Sequence, residues 1–278
     1  MANDIPIHGP RAAGLLGHYG CIEIDGADAG PFLQSQLSAD IDALDPEQSV
    51  LTGWHDRKGR VLACPRVVRK ASSYWLMLPA GLVAETLAGL KVFVFRSKVS
   101  LADRSDTIAA AGVIDESGQR HEVYARREPL LERLAAHHAE GVREISTGQW
   151  DLLDIGAGTP QVYEQTRGDF TGQMINLDLI GGISFSKGCY PGQEVIARTH
   201  HLGRSKRRMQ RYVCDGAAPE PGTSLDDEQG KRGGSVVRSA PAESGSEALI
   251  VTAVANPPVL VAADGSRLTP TSLPYSVA

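Results

Sequence analysis

The first two-thirds of the chain alternate between the residue patterns of strands and helices. Apolar and polar residues alternate over residues 21–25, which predicts a strand, and apolar residues recur at helical spacing over residues 28–37, which predicts a helix. Further strands are predicted at residues 50–54, 61–68, 74–78 and 99–103, and further helices at residues 82–94 and 129–138. This order contains a strand-helix-strand-strand-helix-strand layout with one extra strand. It predicts an α+β fold with a ferredoxin-like core.

The pattern changes after about Tyr212. Residues 215–228 are rich in proline, glycine and acidic residues, and short apolar runs follow at residues 235–237, 248–254 and 259–261. Several short strands separated by Gly/Pro turns are typical of a small β-barrel or β-sandwich. We therefore expect a second, all-β unit in the last quarter of the chain.

The composition and charge of the chain argue against several classes of protein. The chain has 278 residues, of which 42% are hydrophobic, so it can build a real core. Its length favours two domains, with one large domain as the alternative. A net charge of −5 argues against a globally basic nucleic-acid binder. The four cysteines are scattered without a Cys-x-x-Cys pair, which argues against a zinc site, a complete iron–sulfur site or a disulfide-stapled domain. With no signal-peptide pattern and no apolar run of about 18 residues, we expect a cytoplasmic protein.

One segment carries candidate chemistry, Lys-Gly-Cys-Tyr-Pro-Gly-Gln-Glu at residues 187–194. Two glycines and a proline predict a shaped loop that presents side chains. The ammonium of Lys187 would lower the pKa of the Cys189 thiol, and the thiolate is the nucleophilic form. Glu194 and Gln193 could supply a proton acceptor and a hydrogen-bonding amide. The alternative is a buried structural cysteine in a tight turn.

The same segment resembles the signature of the YgfZ family, whose members are folate-binding proteins similar in fold to the T-protein (aminomethyltransferase) of glycine cleavage. The resemblance covers about residues 18–210. It continues in residues 26–40, 56–61, 170–178, 195–199 and 203–207, with Gly172 where the family usually has proline.

The resemblance implies both a fold and a function. The fold would be T-protein-like, with a folate-binding region over residues 1–206, which two subdomains could make up, and a small C-terminal β-barrel over residues 207–278. The function would be to bind tetrahydrofolate, non-covalently and in polyglutamylated form, and to support assembly or repair of iron–sulfur enzymes, including radical enzymes that methylthiolate tRNA. The implied partners are folate and iron–sulfur enzymes or their assembly factors, with no membrane and no direct nucleic-acid binding.

The residues that match the family's motifs supply the predicted site. Cys189 would be the reactive thiol and Lys187 its electrostatic partner. The predicted folate-binding residues are Trp54, Gln173, Asn176, Tyr190, Gln193, Glu194 and Arg198. No metal site is predicted, because the adjacent His200 and His201 would point in different directions along a strand.

Two stretches rich in lysine and arginine, residues 57–70 and 198–211, contain no acidic residue. Each is either a solvated face or an anion site for the glutamate tail of folate or for RNA phosphates. Neither contains an aromatic residue, which weakens the RNA interpretation.

Two other function classes stay open. A true aminomethyltransferase would need carboxylates that are absent here, since the matching stretches are residues 59–64, which contain no acid, and Gly156-Ala157-Gly158 in place of Glu-Ala-Gly. A non-catalytic adaptor or RNA-binding protein would leave Cys189 unreactive and folate unbound.

Overall fold

The computed structural model describes residues 9–203 and 205–277. The helices are α1 (Ala29–Gln36), α2 (Val83–Lys91), α3 (Arg127–Ala139), α4 (Thr147–Gly156) and α5 (Gln193–Leu202), with 3₁₀ helices at Ala80–Leu82 and Glu164–Thr166. The first strands are β1 (Pro10–Leu15), β2 (Tyr19–Asp25), β3 (Ser49–Leu51), β4 (Trp54–His55), β5 (Val61–Ala63), β6 (Arg66–Arg69), β7 (Ser73–Pro79), β8 (Ser100–Asp103), β9 (Ile108–Asp115), β10 (Arg120–Arg126) and β11 (Arg143–Glu144). The remaining strands are β12 (Arg207–Cys214), β13 (Ser224–Asp227), β14 (Arg232–Pro241), β15 (Ser246–Ala253), β16 (Leu260–Val261) and β17 (Arg267–Thr271). In the described ranges, no helix combines the length and the apolar character that crossing a membrane requires.

A five-stranded sheet with the order β3-β6-β7-β2-β8 forms the centre of the molecule. Because side chains alternate across a strand, Ile22 and Ile24 face one side and Cys21 faces the other. The isoleucines join a core with helices α1 and α2. Cys21 joins a second core with Trp150 of α4 and with the four-stranded sheet, whose order is β10-β9-β1-β11. The central sheet is therefore covered on both faces.

The predicted α+β fold is confirmed, with local differences. Helix α1 begins as expected, but Asp28 at its N-cap makes no side-chain bond to the helix, since its carboxylate accepts a hydrogen bond from the Lys98 amide at 2.7 Å. Helix α2 is shorter than predicted, because the amides of Phe93 and Val94 bond to the carbonyls of Leu90 and Lys91 in tight turns that end the helix. The hairpin over residues 49–69 splits, so that β3 and β6 extend the central sheet while β4 and β5 pair separately.

The C-terminal strands form a closed barrel with the order β12-β15-β14-β13-β16-β17, as predicted. Strand β12 begins at Arg207. The barrel has its own interior around Tyr212 and Ile250. Residues on its other face, among them Leu249 and Val251, belong to the same core as α1 and α2. The barrel and the preceding region are thus joined by continuous apolar packing.

Candidate functional site

Cys189 is the exposed thiol of this chain. It lies on the loop that precedes helix α5, whereas Cys21, Cys64 and Cys214 are buried. Burial raises the pKa of the Cys64 thiol to about 12 and raises the pKa of the Cys21 thiol further. In its folded state the protein therefore presents the Cys189 sulfur to other molecules.

Lys187 anchors the loop from one side. Its Nζ donates hydrogen bonds to the carbonyl oxygens of Leu37 and Ala39, each at 2.7 Å. Partial burial lowers the pKa of Lys187 to about 8, although the nearby carboxylates of Asp40 and Asp42 act in the opposite direction. Because the ammonium serves backbone carbonyls, the pairing of Lys187 with the thiolate stays a prediction.

Tyr190 and Gln193 anchor the loop from the other side. The Tyr190 ring is buried, 6.2 Å from the ring of His55, and its burial raises the pKa of Tyr190 to about 12. Gln193 Oε1 accepts a hydrogen bond from the Tyr190 amide at 3.2 Å. The loop is therefore held before Cys189 in the sequence by Lys187 and after it by Tyr190 and Gln193.

Gly192 holds the loop against the β4–β5 turn. Its φ of 79° lies in the left-handed region, and a Cβ added there would come within 2.4 Å of the Asp56 carbonyl oxygen. Only glycine combines this backbone conformation with so close an approach. The contact brings residues 56–60 against the start of α5, although the two segments are far apart in sequence.

Helix α5 corrects the secondary structure expected here. Gln193 and Glu194 were expected in a loop and His200 and His201 on a strand, but the structure places all four on this helix. Gly192 supplies the left-handed turn that starts the helix, and the side chain of Ile196 is buried against the core. The His200 ring stacks on Phe185 with ring centroids 3.8 Å apart.

Gln173 and Asn176, predicted to bind folate, act as internal braces. Gln173 Nε2 donates to the Ile196 carbonyl at 2.7 Å, which ties its segment to α5. Asn176 Nδ2 donates to the Met209 carbonyl at 2.9 Å, which ties the same segment to β12. Asn176 Oδ1 is buried and has no hydrogen-bond partner within the described residues. These amides hold helix and barrel in place, and their predicted contact with folate stays a prediction.

The other predicted folate-binding residues lie apart from these braces. Trp54 is buried on β4 with its ring against α2, so close that a Cβ at Gly89 would come within 2.3 Å of it. Glu194 and Arg198 are exposed on α5. The structure thus gathers Lys187, Cys189 and Tyr190 in one loop and Gln193 at the start of the helix that follows it, with the remaining predicted residues elsewhere.

The two basic stretches are neutralised only in part, by ion pairs with acidic residues elsewhere in the chain. Arg208 is buried and binds Asp178 through both terminal nitrogens, at 2.8 and 2.9 Å. Arg211 pairs with Glu247 at 2.7 Å. Partners of the other stretch are Glu122 for Arg66 and Glu47 for Lys70. Arg204 lies outside the described residues. Neither stretch is a uniform anion site, and the exposed cations without an ion pair within the described ranges include Arg57, Lys58 and Arg198.

A cavity of about 170 Å³ lies between the central sheet, the four-stranded sheet and α4. It is lined by Ser49, Arg66, Arg120, His121, Glu122, Trp150, Asp154 and Thr159. The Glu122 carboxylate accepts hydrogen bonds from Arg66 Nε at 2.5 Å, from Trp150 Nε1 at 3.4 Å and from the Tyr124 hydroxyl. The cavity thus combines a heavily hydrogen-bonded carboxylate with guanidinium groups and an aromatic ring.

The barrel supplies a charge behind this cavity. Arg238 of β14 is 1% exposed, and its Nη2 lies 2.8 Å from Asp154 Oδ2 and 2.5 Å from Asp151 Oδ1. Burial raises the pKa of Asp154, with Arg238 and Arg120 opposing that rise. None of the cavity residues was among the predicted site residues. Two sequence signals existed: Arg66 lies in the basic stretch over residues 57–70, and Arg238 is a charge directly after the apolar run over residues 235–237.

Comparisons with known proteins find relatives that match most of the chain. No protein-family model matches it. It is 28% identical, over 309 aligned positions, to the tRNA-modifying protein YgfZ of Colwellia psychrerythraea, covering 94% of this chain and 92% of that protein. It is 29% identical to the tRNA-modifying protein YgfZ of Serratia proteamaculans, covering 84% and 81%, and 36% identical to an uncharacterized protein of Haemophilus influenzae, covering 70% of each.

A solved structure shares the fold. The glycine cleavage system aminomethyltransferase T from Bartonella henselae matches with a TM-score of 0.72, covering 95% of this chain and 85% of that one. The sequences are 16% identical, so this likeness concerns the fold.

Proposed function

Since the chain belongs to the YgfZ family, similar in fold to the glycine-cleavage T-protein, we propose that it binds tetrahydrofolate and supports assembly or repair of iron–sulfur enzymes. The relatives named as tRNA-modifying proteins favour radical enzymes that modify tRNA as the enzymes supported. Such a protein needs an accessible side chain that can interact with the partner protein, and it needs a pocket that can bind the folate.

The observation that carries the first requirement is the single exposed thiol on an anchored loop. Cys189 is exposed while the other three cysteines are buried. One thiolate supplies one ligand to a cluster that normally has about four, so the remaining ligands would come from the partner. Lys187, Tyr190 and Gly192 fix the loop, which keeps the thiol accessible in a defined position.

The cavity beside Glu122 supports the second requirement. A reduced pterin carries N–H donors that a carboxylate accepts, and Glu122 or Asp154 could accept them. Arg66 and Arg120 could face an anionic part of the ligand, and the Trp150 ring borders the space. At about 170 Å³ the cavity is smaller than pockets for drug-sized ligands, about 300–1,000 Å³, so it fits the head of the ligand with the tail outside.

The cavity and the predicted folate residues can be separated by experiment. Tetrahydrofolate is titrated into the protein while Trp fluorescence is followed, because Trp150 borders the cavity. We expect saturation at one ligand per chain, weakened at least tenfold by Glu122→Gln and left unchanged by Glu194→Gln. Since Glu122→Gln leaves Arg66 without its carboxylate, Thr159→Val provides a second change in the lining that removes no ion pair. If only Glu194→Gln weakens binding, the folate site lies at the loop before α5 and not in the cavity. If the unaltered protein shows no saturable binding, the proposal of folate binding is wrong.

Aminomethyl transfer is a second candidate, favoured by the fold of the Bartonella henselae enzyme. The carboxylates of this cavity come from Glu122 and Asp154, and both are paired with arginines. Tetrahydrofolate-dependent ammonia release from an aminomethylated carrier protein tests it. We expect no turnover above background. Turnover that is lost in Asp154→Asn while the variant keeps the far-UV circular dichroism of the unaltered protein would establish the transferase instead.

A further inference from the structure

We propose that a cavity between the barrel and residues 169–174 binds a small phosphate monoester that carries hydroxyl groups, either a sugar phosphate or a nucleoside monophosphate. The cavity has a volume of about 320 Å³, and its lining includes Asp169, Phe170, Arg207, Arg232, Ser235 and Val251. Small-molecule pockets occupy about 300–1,000 Å³, so a compact ligand of this class fits. This site is additional to the proposed folate site and does not depend on it.

The cavity is separate from the one beside Glu122. The two share no lining residue. Strand β14 shows their separation, since Arg238 pairs with Asp154 of the Glu122 cavity, whereas Ser235 and Arg232 come three and six residues earlier. At about 3.4 Å per residue, these two residues lie roughly 10 and 20 Å along the strand from Arg238. The two cavities can therefore hold separate ligands.

Hydrogen bonds fix the wall that residues 169–174 form. At the start of this wall, Arg60 Nη1 donates to the Asp169 carbonyl. At its end, the Met209 amide of β12 donates to the Met174 carbonyl at 2.7 Å. Because both ends are attached to neighbouring elements, the folded chain forms the cavity without closing around a ligand.

Two arginines supply the anion-binding part. Arg207 begins β12 and Arg232 begins β14, and both strands pair with β15, so the two strands are two spacings, roughly 10 Å, apart. Arg207 Nη2 donates to the Val251 carbonyl at 3.1 Å, which steadies this guanidinium. Neither arginine forms an ion pair within the described ranges. Because a phosphate monoester offers three acceptor oxygens in different directions, two arginines that line one cavity favour phosphate over a planar carboxylate.

Asp169 and Ser235 distinguish this ligand from a bare anion. Both line the cavity, and neither side chain makes a hydrogen bond or an ion pair in the part of the chain that the structure describes. A carboxylate accepts hydrogen bonds from hydroxyl groups but repels a phosphate at close range. We therefore expect the phosphate at the arginines and the hydroxyl groups at Asp169, with the buried side chains of Phe170 and Val251 as the apolar floor.

The lining sets the charge of the site. Neighbours of the two arginines along the chain and across the strands carry two carboxylates and two ammonium groups, from Asp226, Asp227, Lys206 and Lys231. These charges cancel in number. The lining itself has two guanidinium groups against one carboxylate, so the cavity is positive.

The probes are ribose 5-phosphate, inorganic phosphate, ribose and gluconate, each titrated into the full chain by isothermal titration calorimetry at one salt concentration. Gluconate carries hydroxyl groups with a carboxylate in place of the phosphate. We expect ribose 5-phosphate to saturate at one ligand per chain and to bind at least tenfold more tightly than the other three. Adenosine 5′-monophosphate separates the two sources of the ligand: tighter binding than ribose 5-phosphate indicates a nucleoside monophosphate, and weaker binding indicates a sugar phosphate.

The variants test the lining. Arg232→Gln removes a charged donor without breaking an ion pair or hydrogen bond of its side chain within the described residues, and it should weaken ribose 5-phosphate at least tenfold. The control Arg126→Gln with Arg143→Gln removes two exposed charges from β10 and β11 and should change the affinity less than twofold. Asp169→Ala should bind inorganic phosphate more tightly than the unaltered protein does, and it should lose most of the preference for ribose 5-phosphate.

Three results would overturn the proposal: ribose 5-phosphate that binds no more tightly than inorganic phosphate or gluconate, equal weakening by the control variant, or binding of a 5′-phosphorylated single-stranded RNA that tightens with its length. Saturating tetrahydrofolate should leave the affinity for ribose 5-phosphate unchanged. If tetrahydrofolate displaces ribose 5-phosphate, the cavity belongs to folate and the second ligand is wrong. If the unaltered protein binds ribose 5-phosphate but no folate, only the proposed function is wrong.

Discussion

Replacing Arg238 with methionine should be among the most damaging single changes in this chain. Arg238 is 1% exposed and pairs with Asp151 and Asp154, which are 22% and 5% exposed. Water can reach Asp151 after the change, but Asp154 keeps a buried charge without its main partner. Breaking a buried ion pair from one side costs about 3–5 kcal/mol, and we expect Arg238→Met to lower the free energy of unfolding by that amount at pH 7.

Two further measurements identify the cause. Adding Asp154→Asn to Arg238→Met should restore at least about 2 kcal/mol, because it removes the stranded charge. Without Arg238 the pKa of Asp154, already raised by burial, should rise further above its unfolded value. The folded state then binds more protons than the unfolded state, so the loss of stability should shrink as the pH falls from 7 toward 5.

The assay is urea unfolding followed by far-UV circular dichroism at pH 7 and pH 5. Arg211→Met serves as the control, since it breaks a more exposed pair with Glu247 on the same barrel and should cost about 1 kcal/mol or less. The reasoning fails if Arg238→Met costs less than the control, or if the double variant is as unstable as Arg238→Met alone.

Three other changes test the loop. Gly192→Ala should lower the free energy of unfolding by at least about 1–2 kcal/mol, because the added Cβ would sit on a left-handed φ and clash with the Asp56 carbonyl. Gly188→Ala is the control: its added Cβ meets nothing within 4 Å, so the free energy of unfolding should stay unchanged in the same urea assay. The pKa of Lys187 in the folded protein, about 8, lies below its unfolded value, so the unfolded state binds more protons between about pH 8 and 10.5. The free energy of unfolding of the unaltered protein should therefore rise with pH across that window relative to that of Lys187→Met. If the two free energies change with pH in the same way, the prediction is wrong. Brief alkylation of the folded protein should modify Cys189 alone, as detected by mass spectrometry. The variant Cys189→Ala should keep the melting temperature of the unaltered protein but lose its support of iron–sulfur enzymes in cells. If its melting temperature falls together with that support, the thiol is structural.

Elements with a clear hydrophobic period could be predicted from the sequence. Residues 22–25 alternate between apolar and polar and form part of β2, and the apolar runs after residue 235 form barrel strands. Helix α5 was missed, because Pro191-Gly192 suggests a turn and the following residues, with Val195, Ile196 and Thr199, have weak helix propensity. What starts that helix is the left-handed backbone of Gly192 packed on a distant turn, which local sequence does not reveal.

The candidate site, too, could be predicted from the sequence only in part. The exposed thiol of Cys189 lies within a contiguous motif and could be found from it. The cavity could not, because Arg66, Glu122, Asp154 and Arg238 come from four separate strands and helices. Glu122 and Asp154 look like ordinary surface charges in their own stretches, and only the packing of the sheets and the barrel brings them next to Arg66 and Arg238.

The shared core between the barrel and the preceding region has a consequence for how the protein is made in the cell. Chains emerge from the ribosome N-terminus first, at about 5–20 residues per second, so the region before residue 207 waits roughly 4–14 seconds for the barrel to be synthesised. During that time the apolar surface destined for Leu249 and Val251 is uncovered, and Asp154 lacks Arg238. A nascent chain in this state is a substrate for chaperones, and one that terminates early, before β14, would be a substrate for proteolysis.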